Sequence, residues 1–202
     1  MEKLVNPAEL LGFIGGGLGM FYGVPQALRI RRLGHGTGVS LPTWLLTFGV
    51  STSWAAWGFG VHSPSAFIMN IGGVLVNGSV VVAIMPSLRK AILPLLAITA
   101  VLWLLVLTLP DAIVSALLTA LVFFLAPQVV TSFRSLRNGT VSVVSMKALT
   151  VSMMSNVFWI AYGLVTKTYL ILLTSGIAMT MILIVMTLEL LAQRKIRLAA
   201  IV

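Results

Sequence analysis

The sequence predicts an all-α membrane protein with seven transmembrane helices, arranged as two parallel three-helix repeats joined by a linker helix. Three observations carry this. The 202 residues are 59% hydrophobic and only 8% charged, with a mean hydropathy of +1.09, whereas a soluble domain carries about 25% charged residues. Apolar runs of about 20 residues, the length that spans a bilayer, recur seven times, at roughly 9–29, 44–62, 66–86, 91–109, 112–133, 146–165 and 169–191. One pattern is also written twice. Gly23-Val24-Pro25-Gln26-Ala27-Leu28-Arg29 returns as Leu125-Ala126-Pro127-Gln128-Val129-Val130-Thr131, each copy closing an apolar run and opening a basic, polar loop.

The elements follow in order. Met1 to Asn6 is too short and too acidic for a cleaved signal peptide, so the first run is expected to be the first helix. A proline inside a membrane helix removes a backbone hydrogen bond and bends the rod, which makes Pro25 and Pro127 a repeated hinge, with Gln26 and Gln128 beside them. The second run carries Trp54-Ala55-Ala56-Trp57-Gly58, and the sixth answers with Trp159-Ile160-Ala161-Tyr162-Gly163. The prolines align at an offset of 102 residues, and the Trp and Gly pairs at 105, so three extra residues fall in the second polar loop. Residues 9–86 thus form the first repeat and 112–191 the second. The fourth helix, within 87–111, has no counterpart in the repeat. A unit of three helices ends on the opposite face from where it began, and this odd helix restores parallel orientation. Residues 192–202 are expected to be a tail, and Gly15, Gly19 and Gly23 to form a small-residue face for close helix packing.

Charge sets the orientation. Eleven of the thirteen Lys and Arg follow helices one, three, five and seven or precede helix six. With seven spans they share one side, leaving Lys3 and Lys167 on the other. The basic side is expected to be cytoplasmic, placing the N-terminus outside and the tail inside. The net charge of +9 is therefore a topology signal rather than a nucleic-acid surface. The chain has no cysteine, hence no disulfide, thiolate metal site or sulfur nucleophile. His35 and His62 fall in loops on opposite sides, and no carboxylate pair is available, so neither a metal site nor an enzyme is expected. A retinal protein needs a lysine inside the seventh helix, and residues 169–191 hold none.

The doubled Pro-Gln, followed by Trp-x-x-(Trp/Tyr)-Gly, resembles the PQ-loop superfamily. Within it, the chain is most similar to the SWEET sugar transporters and the half-size SemiSWEETs, over about Leu10 to Glu189. Parallel repeats, of which SWEETs are a known example, place the substrate site at the repeat interface near the midplane. The resemblance implies that a Trp on the second helix and an Asn on the third hold the sugar. Trp54 and Asn70 match in the first repeat and Trp159 in the second, where Ser175 stands in place of the second Asn. The chemistry suits the role: an indole face packs on the C–H face of a sugar ring, and a carboxamide both donates and accepts with a hydroxyl pair. Asn77, whose counterpart Ile182 is apolar, reads as packing.

Helical spacing adds Val50 and Ser51, then Ser155 and Asn156, one turn before each Trp. Trp57 and Tyr162 are placed to narrow the outer mouth, and Phe21 and Phe123 are candidates for the cavity floor. Many SWEETs carry a proline within the second helix of each repeat; Pro42 lies near one such place, and the sixth helix has none.

The expectation is a cofactor-free uniporter of a small neutral sugar, in the cell membrane, working by alternating access. A PQ-loop carrier of another polar metabolite, such as an amino acid, and a non-retinal seven-helix receptor are the alternatives. One chain holds both repeats and can form the pathway alone; homo-oligomers stay open. Uniport follows from placing Glu2, Glu9, Asp111 and Glu189 at helix ends, Glu189 close to Arg194. No ionisable group is then left at membrane depth to carry a proton.

Overall fold

A computed structural model describes residues 7–20, 24, 28, 32, 40–139 and 145–199, and every regular element among them is helical. They are α1 (Pro7–Met20), α2 (Leu41–Gly60), α3 (Pro64–Ile84), α4 (Leu88–Thr108), α5 (Asp111–Val122), α6 (Ala126–Asn138), α7 (Met146–Thr166) and α8 (Tyr169–Ala199), with a 3-10 turn, Phe123–Leu125, between α5 and α6. Pro25, Gln26, Phe21 and Gly23 lie outside the described residues.

Serine starts four of these helices. The hydroxyls of Ser40, Ser63, Ser87 and Ser145 each accept the N–H three residues on, those of Thr43, Ala66, Lys90 and Ala148, satisfying a donor the helix itself leaves open. Pro42 is the second residue of α2, where its missing N–H is harmless. It starts the helix rather than kinking it.

Two local backbone features recur at one offset. Ser40 and Ser145, 105 residues apart, cap α2 and α7 in the same way. At the other end of those helices His62 and Lys167 both adopt φ 56°. Behind them the N–H groups of Ser63 and Thr168 reach back to the carbonyls of Gly58 and Gly163, both at 2.9 Å. This is the left-handed helix stop in which glycine is usual, made twice with a side chain.

The helix of the fifth apolar run is interrupted beside its proline. In a continuous helix the N–H of residue 127 would bond the carbonyl of Phe123, and proline has no N–H. The carbonyl of Phe123 instead accepts the N–H of Ala126, one residue nearer, and the chain tightens into a 3-10 turn. Together α5 and α6 make a span of 28 residues, Asp111–Asn138, longer than the 112–133 expected. The seventh helix is also longer. Residues 192–199 continue α8 instead of forming a separate tail, and Lys195 Nζ donates to the carbonyls of Leu136 (3.3 Å) and Arg137 (3.2 Å) at the end of α6.

The helices pack in two groups. In residues 7–84, α3 touches both α1 and α2; in residues 111–199, α8 touches both α5–α6 and α7. The linker α4 lies on α2 and α3. Between the two units α1 runs extensively along α7, and α2 meets α5 more slightly. Arg89, Lys90, Arg134, Arg137, Lys147, Arg194, Lys195 and Arg197 gather at one end of the bundle, the basic end; Glu9, Asp111 and Lys167 lie at the far end.

Pro64–Ile84, Leu88–Thr108, Asp111–Asn138, Met146–Thr166 and Tyr169–Arg197 are each long and apolar enough to cross a membrane. Leu75, Leu93, Leu96, Leu104 and Leu164 are exposed on their outer faces, as lipid contact requires. The chain is an all-α, multi-pass integral membrane protein.

Candidate functional site

The helix pair α2–α3 sets the register of the candidate site. Gly58 lies so close to α3 that a Cβ there would stand 2.6 Å from the Phe67 nitrogen and 2.8 Å from the Ala66 carbonyl carbon. Further along, Gly73 faces the Ser51 hydroxyl. Asn77 Nδ2 then donates to Ser51 Oγ (3.0 Å) and toward the Thr47 carbonyl (3.5 Å). On this antiparallel ladder the rung between Gly58 and Ser51 pairs Trp54 with Asn70. The second unit has the same spacing, Gly163 against Leu172, which brings Trp159 level with Ser175. All four positions lie six or seven residues, about 10 Å, from the far ends of their helices.

The two Trp residues meet on common ground. Trp54 and Trp57 form an edge-to-face pair with centroids 5.4 Å apart, and Trp159 with Tyr162 forms another at 5.5 Å. All but Tyr162 are half-buried, and Trp54, Trp57 and Trp159 pack on one buried cluster of Ala8, Tyr162 and Ile171. Trp54 and Trp57 also reach the cluster of Ala56, Val106, Val114 and Leu118, on α2, α4 and α5. An aromatic and apolar plug therefore joins the two units in the far half of the bundle. The clusters around Val80 and around Phe48, Val81 and Leu95, toward the basic end, are built from α2, α3 and α4 alone.

Small residues let α1 into the seam. A Cβ on Gly15 would lie 3.1–3.2 Å from Phe158, Ser155 and Trp159 of α7, and Gly19 also faces Ser155. On its other side α1 turns Gly12 to Ser65 and Gly16 to Met69 of α3. Ser155, buried, donates to the Gly15 carbonyl at 2.7 Å.

The polar candidates divide by what holds them. Asn77, Ser51 and Ser155 are engaged by neighbouring helices. Asn70 and Asn156 are half-buried, and each donates Nδ2 to its own helix, to the carbonyls of Ala66 and Ser152, both at 2.8 Å. Among the described residues neither bonds another helix. Ser175 is buried one turn beyond Ile171 on α8, and Val50 is half-buried on α2. Pro127 is exposed after the 3-10 turn, and Gln128 Nε2 donates to Ser132 Oγ at 3.3 Å within α6. Phe123 lies elsewhere, with Tyr169 and Leu173 on an open apolar groove of about 980 Å³ between α5 and α8. Among the described residues no group of three His, Cys, Asp or Glu converges as a metal site would require.

Sequence reasoning missed the far-end latch. Glu9 of α1 accepts the Ser65 backbone N–H through Oε2 (2.8 Å) and the Tyr162 hydroxyl through Oε1 (3.1 Å). Tyr162 also shares a 2.8 Å hydrogen bond with Ser63 Oγ. A carboxylate at the N-terminus of α3 suits the donors and the dipole there, and the tyrosine ties that end to the other unit. The signal available in sequence was Ser63-Pro64-Ser65, a helix start that attracts an anion, but nothing local says which carboxylate arrives. Compared with models of known protein families the chain matches none, and no curated protein matches it.

Proposed function

We propose that this chain is a seven-span carrier of the PQ-loop, SWEET-like kind, moving a small neutral solute, a sugar foremost, down its own gradient by alternating access. In this reading the first apolar run, which contains α1, and α2 are the two further spans. α2 has the length, 20 residues, and is less apolar because it carries three Trp and several hydroxyls. Thr47, Thr52 and Ser53 donate back to the carbonyls of Thr43, Phe48 and Gly49, which lets such a helix sit in lipid. The basic end is cytoplasmic.

The observation that carries the proposal is the level at which Trp54, Asn70, Trp159 and Ser175 stand across the seam of two duplicated units. Aromatic faces and a carboxamide suit a ring with C–H faces and hydroxyl edges. No Lys, Arg, Asp or Glu stands at that level on the helices that carry them, which favours a neutral solute over an amino acid, whose two charges need partners. The plug and the Glu9–Tyr162–Ser63 latch correspond to a state sealed on the outer side, and the 3-10 turn before Pro127 to a place where one arm can swing.

The test is uptake into liposomes containing the pure protein, over a panel of labelled sugars and amino acids. W54A, W159A and N70A should each lower saturable sugar uptake at least tenfold in folded, monodisperse protein. Selective uptake of amino acids, or full sugar uptake in all three variants, would overturn the reading.

A further inference from the structure

The open groove between α5 and α8 has walls of unequal size. α5 turns Ser115, Ala116, Thr119 and Ala120 to it, and α8 the larger Tyr169 and Leu173. α8 packs more closely on α6 than on α5, and the small side chains leave the difference as space, about 980 Å³. That is the upper end of the roughly 300–1,000 Å³ found for ligand sites.

The groove lies within one leaflet. From Asp111, the first residue of α5, to Phe123, which also lines the groove, the chain advances twelve residues, about 18 Å along a helix. Half of a hydrocarbon core is about 15 Å. Tyr169, the first residue of α8 and 79% exposed, stands at the mouth, where such amphipathic rings meet the membrane surface. Phe123 stands toward the midplane.

Two hydroxyls in the groove lack the usual partner. Thr99, Thr108, Thr174 and Thr180 each donate to the carbonyl one turn back, which satisfies a hydroxyl inside the bilayer. Among the described residues neither the Ser115 nor the Thr119 hydroxyl has a hydrogen-bond partner. Charges of both signs stand above them. Asp111 is exposed one turn before Ser115, on the stripe that continues to Thr119. Lys167 is exposed in the left-handed stop of α7, and only Thr168 separates it from α8.

We propose that the groove binds a phospholipid of the far leaflet with a primary-amine headgroup, an ethanolamine lipid. Its ammonium meets Asp111 and its phosphate meets Lys167. Its ester carbonyls accept from Ser115 and Thr119, and an acyl chain lies over Ala116, Ala120 and Phe123. One charge of each sign suits a zwitterion better than an anionic lipid. A carboxylate that accepts N–H bonds suits an ammonium better than choline, whose quaternary nitrogen carries no hydrogen. A helix of a second copy also fits small residues, but an apolar helix answers neither the charges nor the hydroxyls. The site depends on the spans α5–α6 and α8 and not on any solute.

The test uses the full-length protein in vesicles of ethanolamine, choline and glycerol phospholipids in equal parts, all with the same chains. Lipid that stays bound when the protein is released is identified by native mass spectrometry. The ethanolamine lipid should be retained about tenfold over either other, the effect of one hydrogen bond to a charged group at an exposed site. D111N and K167Q should each abolish that preference, and A120W, which fills the groove, should abolish retention with helix content unchanged. An ethanolamine lipid with a photoreactive chain should mark residues 115–123 and 169–173 in the wild type and not in A120W. Equal retention of the three lipids, or marks spread evenly over the outer face of α4, would overturn the proposal. So would a disulfide between two copies through S115C with no lipid retained, which would assign the groove to an oligomer interface.

Discussion

Removing one hydroxyl should unlatch the far end. Tyr162→Phe deletes the hydrogen bonds to Glu9 (3.1 Å) and Ser63 (2.8 Å) while leaving the ring in place against Trp159. A hydrogen bond to a charged group contributes about 1.5–3 kcal/mol net, and a neutral one about 1. Glu9 keeps the Ser65 N–H and Ser63 keeps its cap to Ala66, so neither remaining partner is stranded. The site lies at the end of the bundle, where water can compete, and the low end of the range applies. The closed state should lose about 2 kcal/mol relative to the open one, a shift of about 30-fold in population. The chain has no cysteine, so a single S65C reports cleanly: Ser65 is fully buried behind the latch. Its labelling by an impermeant maleimide should accelerate about 30-fold in Y162F, with a smaller gain in E9Q, which keeps an acceptor. Tyr169→Phe, at an exposed position, should change nothing. Equal labelling rates in S65C and S65C/Y162F, with the fold intact, would refute the view that this cluster closes the far end.

The other predictions concern backbone, topology and solute. His62→Gly and Lys167→Gly relieve left-handed strain of about 1 kcal/mol each, and either should raise the unfolding midpoint by about 2–4 °C. Val61 and Asn138, exposed at the far and basic ends, suit single-cysteine topology probes, V61C and N138C. In intact cells an impermeant reagent should label the first and spare the second, and the reverse would invert the orientation. Asn77→Ala should leave sugar uptake within about threefold of wild type while lowering the unfolding midpoint. Ser175→Asn should change the order of preference among sugars, measured by competition, rather than stop transport.

Much of the fold was written locally and could be read locally. Helices start at Ser40, Ser63, Ser87 and Ser145, a few residues from where apolar runs began, because each start rests on a serine and the three residues after it. The break in the helix before Pro127 has the same local cause, since the missing N–H belongs to the proline itself. The 105-residue offset that aligned Trp54 with Trp159 also aligns the two left-handed stops, although neither His62 nor Lys167 announces one, glycine being the usual sign. What the sequence hid was tertiary. Glu9 and Tyr162 are 153 residues apart, and no periodicity links them. Glu189 looked terminal because apolar character fades after residue 191, yet the helix continues through exposed charged residues while Glu189 lies on its buried face.

The contrast between local caps and the distant latch bears on how the protein is made. A chain entering the bilayer helix by helix can start α2, α3, α4 and α7 at once, since each serine cap is complete three residues later. Glu9, Gly12 and Gly16 also find Ser65 and Met69 early, when the third helix arrives. The other side of α1, Gly15 and Gly19, waits for Ser155, and Glu9 waits for the hydroxyl of Tyr162. Until α7 is inserted that glycine face has lipid for a neighbour, and the helices before it must hold their shape alone. α4, packed on α2 and α3, is synthesised in that interval and gives the unfinished half a fourth wall before its twin exists.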